Sequence, residues 1–88
     1  MTSRFEIGVV VRTIRDAFRP LECVVEVWDG ERQLRFRVIN HEGKGILRAS
    51  SVLVRRARDP QGLAYIVGKA RSRIEAKGFK LDSWTPPK

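Results

Sequence analysis

Nine cations crowd into residues 44–77, namely Lys44, Arg48, Arg55, Arg56, Arg58, Lys69, Arg71, Arg73 and Lys77, against only Asp59 and Glu75. Residues 1–43 carry seven basic and seven acidic side chains and sum to zero, so this stretch supplies nearly all of the net charge of +8. Local charge of one sign attracts phosphate backbones, because each phosphate neutralised releases condensed counterions. The run Arg55-Arg56-Ala57-Arg58 leads into Asp59-Pro60, an N-cap followed by a proline at the first helical position. A helix N-terminus attracts anions through its free amides. Here the Asp59 carboxylate already occupies those amides as the cap, so the run reads either as a phosphate site or as a solvated loop. Lys69 and Arg73 stand four apart on one flank of that helix and Arg71 on the other, so part of the charge is helix edge with snorkelling side chains. The candidate nucleic-acid contacts are Lys44, Arg48, Arg55, Arg56, Arg58, Lys69 and Arg73. A solvated basic surface and an acidic protein partner are the competing readings.

Trp28, Arg35 and Arg37 form a second candidate set. They fall on one face of a predicted sheet together with Val24, Glu26 and Ile39. An aromatic ring beside guanidinium groups stacks unpaired bases. It equally suits a protein partner or a second copy of the chain, since Trp and Arg dominate interface energetics. A third occupant is internal, with Leu81 and Trp84 of the C-terminal tail folding back over the face.

The residue types that carry out catalysis are sparse. There is one histidine, His41, and one cysteine, Cys23. No His/Cys metal cluster can be assembled from them. Gly43-Lys44-Gly45 lacks the spacing of a phosphate-binding P-loop and reads as a turn. His41 beside Glu42 lies in that turn, open to water, with no cleft to make an acid–base pair of them. Cys23 falls on the inward strand face as a small hydrophobe, and Glu22 and Glu26 have Arg35 and Arg37 as cross-strand partners. No enzyme, catalytic residue, metal, cofactor or small-molecule substrate is indicated. No apolar run approaches the ~20 residues of a membrane span, and the first residues lack an apolar signal core. With a single cysteine suited to a reducing compartment, a cytoplasmic location is expected.

The elements that position these residues follow from periodicity. Ser3-Arg4-Phe5-Glu6 has the pattern of a capping box, and Ile7, Val10, Val11, Ile14 and Phe18 then fall on one helical stripe. A first helix over 3–18 is expected, ended by Pro20. Leu21, Cys23, Val25 and Val27 alternate with polar or outward residues as a strand. Asp29-Gly30 marks a hairpin, and Leu34, Phe36 and Val38 point inward on the return strand. A turn at 41–45 leads to a third strand over about 46–51, whose weak alternation leaves its register open. Val52-Leu53-Val54 either extends that strand or packs as a loop. Leu63, Ile66, Val67, Ala70 and Ile74 form the stripe of a second helix, with Gly78 a left-handed cap and Phe79 closing onto Ile74. An interior glycine, Gly68, falls on its outward side without an evident reason.

The expected fold is α+β in the order α-β-β-β-α: a three-stranded antiparallel sheet with two helices on one face. It forms a single domain over residues 1–80, with an extended tail over 81–88.

Phe18-Arg19-Pro20, Asp29-Gly30, Arg48, Ser50 and the run from Asp59 to Arg71 resemble a bacterial family of roughly this length known only as a domain of unknown function. That resemblance covers about two-thirds of the chain and implies no activity. The element order and the basic second half resemble the double-stranded-RNA-binding domain, which implies contacts to A-form RNA from the first helix, the first hairpin loop and the start of the last helix. The chain departs from that pattern, since Asp59-Pro60-Gln61-Gly62 holds no lysine cluster, Asp29-Gly30-Glu31-Arg32 is short and partly acidic, and the first helix exposes both Arg12 and Asp16. The expected function is non-catalytic binding of nucleic acid through its phosphates, with double-stranded RNA as the form the resemblance suggests. Protein interaction or homodimerisation is the alternative.

Overall fold

The computed structural model describes residues 4–87. Its elements run α1 (Ile7–Asp16), β1 (Glu22–Trp28), β2 (Gln33–Ile39), β3 (Gly45–Leu53), α2 (Val54–Ala57) and α3 (Pro60–Ala76). The fold is α+β, an antiparallel sheet in the order β1-β2-β3 with helices on one face. A third, single-turn helix, α2, is added between β3 and α3. Four residues are too few to show a helical period, but the turn buries Val54 and Ala57.

The first helix is shorter than expected at both ends. Ser3 of the anticipated capping box lies outside the described residues. Glu6 is the N-cap, without a side-chain bond, and its carbonyl accepts from the amides of Val9 and Val10. At the other end the Ala17 amide donates to the Ile14 carbonyl, tightening the last turn before Pro20 is reached.

In the β1–β2 hairpin the expected inward residues pair, with Cys23 opposite Val38, Val25 opposite Phe36 and Val27 opposite Leu34; of the expected Glu–Arg partners Glu26 meets Arg35, while Glu22 lies opposite Ile39. Its loop bends through Asp29, Gly30 and Glu31, all at positive φ. β3 is bulged twice against β2. Phe36 faces Ala49 while Leu34 faces Val52, so the strand gains a residue around Ser51, whose φ is +58°. A second slip at Ile46 turns that side chain inward beside Leu47. Each bulge shifts the two-residue period, which is why β3 alternates so poorly in the sequence.

One cluster holds the layers together. Val10, Ile14 and Phe18 from the first helical stretch meet Leu34, Phe36 and Val38 of β2 and Leu63, Val67 and Ile74 of α3. Phe18 and Phe36 stack with ring centroids 5.6 Å apart. α1 packs chiefly on β1, and α3 on β3. Asp59 caps α3 as expected, its carboxylate accepting from the Gly62 amide at 3.0 Å. Gly78 takes φ +95° after the helix, and Phe79 packs against the cluster that includes Ile74.

The tail folds back, but over the helix layer. The Arg71 guanidinium donates to the carbonyls of Ala17 and Asp82, and the Asp82 amide donates to the Arg19 carbonyl. Leu81 and Trp84 pack against the core from there. Arg71 is therefore a clamp joining α3, the end of α1 and the tail.

Candidate nucleic-acid interface

β3 is an edge strand, and α3 lies against it on the core side of the sheet. Tyr65, Lys69, Arg73 and Lys77 recur every fourth residue along α3. Because the helix turns every 3.6 residues, such a row winds slowly around it. It begins outward at Tyr65 and ends at the strand edge, where the Lys77 ammonium donates to the Ile46 carbonyl. A groove of ≈ 220 Å³ between α3 and β3 is lined by Arg48, Tyr65, Lys69 and Arg73 over the apolar floor of Leu47 and Ile66. The Lys69 ammonium sits 5.7 Å from the Tyr65 ring centroid.

Arg48 carries the charge around the edge onto the outer sheet face. There it stands directly opposite Arg37 on β2. Like charges in opposite positions destabilise a sheet. Neither arginine forms a salt bridge, since those among the described residues are Arg19 with Asp16 and Arg35 with Glu26; the neighbouring carboxylate, Glu26, is bonded to Arg35 and also feels the Arg37 charge. A depression of ≈ 250 Å³ lined by Arg37, Arg48 and Ser50, with the Glu26–Arg35 pair at its side, opens over them.

At the other end of the row, Arg55 and Arg56 of α2 share a shallow groove with Arg4, Gln61, Tyr65 and the capping Asp59. Gly62 makes this juxtaposition possible. A Cβ there would lie 2.1 Å from the Arg56 carbonyl oxygen, so only glycine lets α2 press against the first turn of α3. The Gly62 amide at the start of α3 is taken by Asp59, so what Arg55 and Arg56 present in this groove is their own guanidinium groups.

Five of the anticipated contacts thus fall on one band: Arg48, Arg55, Arg56, Lys69 and Arg73. None of them forms a salt bridge among the described residues. Two anticipated contacts lie elsewhere. Lys44 is exposed on the β2–β3 turn, its amide held by the Asn40 carboxamide oxygen, and it lines none of these grooves. Arg58 is half-buried and fastens the N-terminal segment, its Nε donating to the Phe5 carbonyl at 2.7 Å and its own carbonyl accepting from the Phe5 amide. Two further members, Tyr65 and Arg37, come in from outside the anticipated set. The four-residue spacing of Tyr65, Lys69 and Arg73 was the signal for the first. For Arg37 the signal would have been the β3 register, which the bulges conceal.

The outer-face set divides. Arg35 donates to Glu26 at 2.9 Å, and that contact, more than the neighbouring charge, holds the Glu26 carboxyl below its usual range. Trp28, 44% exposed, lies beyond this pair at the hairpin end, across from Gln33 and in turn Leu53. Arg37 alone of the three faces Arg48 and is free of a salt bridge, and so joins the band.

Elsewhere the chemistry is quiet. Burial pushes the Cys23 thiol up to about 12. His41 and Glu42 are both exposed on their turn. Among the described residues no three His, Cys, Asp or Glu side chains gather as a metal site, and no helix is long and apolar enough to cross a membrane. No family model, curated protein or solved structure matches the chain. The likeness to the double-stranded-RNA-binding domain rests on element order and charge alone.

Proposed function

We propose that this protein is a non-catalytic nucleic-acid-binding domain that grips phosphates along the α3–β3 edge. The observation that carries this reading is Arg37 opposite Arg48 with neither in a salt bridge, and Arg48 in turn shared with the groove of Lys69 and Arg73. A polyanion relieves that repulsion at every phosphate it brings. Arg55 and Arg56 extend the grip at the far end of α3. The contacts are to the backbone, so affinity follows charge and salt more than base order. The lone, buried Cys23 suits a reducing bacterial cytoplasm, where nucleic acid is abundant. Titrations of labelled RNA and DNA at rising salt test the reading. Binding that weakens steeply with salt is expected, and no binding of any nucleic acid at low salt overturns it.

A further inference from the structure

Tyr65 is 61% exposed, and it is the one aromatic side chain lining both cationic grooves. Arg4, Arg55 and Arg56 lie to one side of it, and Arg48, Lys69 and Arg73 to the other. We infer that the band takes a single strand of nucleic acid, with one base stacked on the Tyr65 ring. The inference rests on the phosphate-binding reading above and specifies the form of the ligand.

Three observations favour the single strand over a duplex. The first is the path. The cations follow α3 on the core side of the sheet, pass the β3 edge at Arg48 and end at Arg37 on the outer face. A ligand touching all of them turns around a molecule only 17 Å through its thinnest extent. Duplex DNA, with a persistence length of about 50 nm, stays straight over such a distance. A single strand follows it. The second is the ring itself. Bases in a duplex have both faces covered by their neighbours, whereas splayed bases of a single strand stack on aromatic side chains. The third is the Lys69 ammonium, which lies over one ring face at 5.7 Å from the centroid; a base stacks on the opposite face or takes its place, and the flexible lysine then reaches that nucleotide's phosphate. The elements through which the double-stranded-RNA-binding domain grips a duplex are poorly equipped here. The β1–β2 loop carries Asp29 and Glu31, and the α3 start is capped by Asp59.

The test is fluorescence anisotropy with short labelled oligo-uridine, oligo-deoxythymidine and an RNA duplex, on the wild type, Tyr65→Ala and Tyr65→Phe. Tyr65 is exposed, so both variants are expected to fold, which circular dichroism checks. Tyr65→Ala is expected to weaken single-strand binding about five- to a hundredfold. The slope of log affinity against log salt stays unchanged, because no phosphate contact is lost. Tyr65→Phe, which keeps the ring face, stays within about twofold of the wild type. Single-strand affinity unmoved by Tyr65→Ala overturns the inference, as does duplex binding without single-strand binding, and both leave the phosphate reading standing. Failure of all three nucleic acids to bind removes both.

Discussion

Arg48 concentrates the tension between folding and function. It faces Arg37 across the strands and shares a groove with Lys69 and Arg73, and it forms no salt bridge; the nearby Glu26 is bonded to Arg35. Replacing it by glutamate sets a carboxylate against Arg37. Arg48→Glu is expected to raise stability by about 0.2–1 kcal/mol while abolishing most nucleic-acid binding. Urea melts and anisotropy on one preparation measure both, and a less stable variant would show that the repulsion is not there to be relieved. Cys23 gives a second residue-scale expectation. Burial raises its thiol from 9.0 to about 12, so the native state keeps a proton that the unfolded chain has lost. Stability is then full below the lower value and falls as pH rises towards the higher. The loss approaches about 1.4 kcal/mol per pH unit for a single group. Cys23→Ala should flatten that part of the stability–pH curve, and parallel curves for the two proteins would contradict the assignment.

At the scale of elements, two glycines of α3 behave oppositely. Gly62 meets the Arg56 carbonyl, whereas a Cβ on Gly68 meets nothing within 4 Å. Gly68→Ala should therefore stabilise by about 0.5–1 kcal/mol, the helix-propensity gain. Gly62→Ala should destabilise by about 1–3 kcal/mol through overpacking, and it should also weaken binding because it pushes Arg55 and Arg56 away from Tyr65. Paired denaturation curves decide this, and a neutral Gly62→Ala would mean that α2 is free to shift. The same elements show how far the sequence could be read. The stripes at Ile7–Phe18 and Leu63–Ile74, the Asp29-Gly30 hairpin and the Asp59 cap are local signals, and the structure carries them all. α2, the register of β3 and the clamp role of Arg71 depend on partners far along the chain. Arg58 and Arg71 read as free cations because nothing local reveals the carbonyls of Phe5, Ala17 and Asp82 to which they donate.

At the scale of the whole molecule, the question is whether binding belongs to the band or to the net charge of +8. Both attract polyanions, but only direct neutralisation of phosphates sets the salt slope. Arg37, Arg48, Arg55, Arg56, Lys69 and Arg73 supply six cations along the band. At about 0.7 counterions released per phosphate of a single strand, log affinity should fall against log salt with a slope of about −4. Removing Arg55 and Arg56 together should flatten it to about −3. Arg12 and Arg15 provide the control. They are exposed on α1, which packs on β1 at the opposite edge of the sheet, and neither lines the grooves of the band. The double variant Arg12→Ala/Arg15→Ala removes the same charge as Arg55→Ala/Arg56→Ala and lowers the long-range attraction equally. Its salt slope should nevertheless match the wild type. Equal flattening in the two double variants would mean that the field of the whole molecule, and not the α3–β3 edge, holds the nucleic acid.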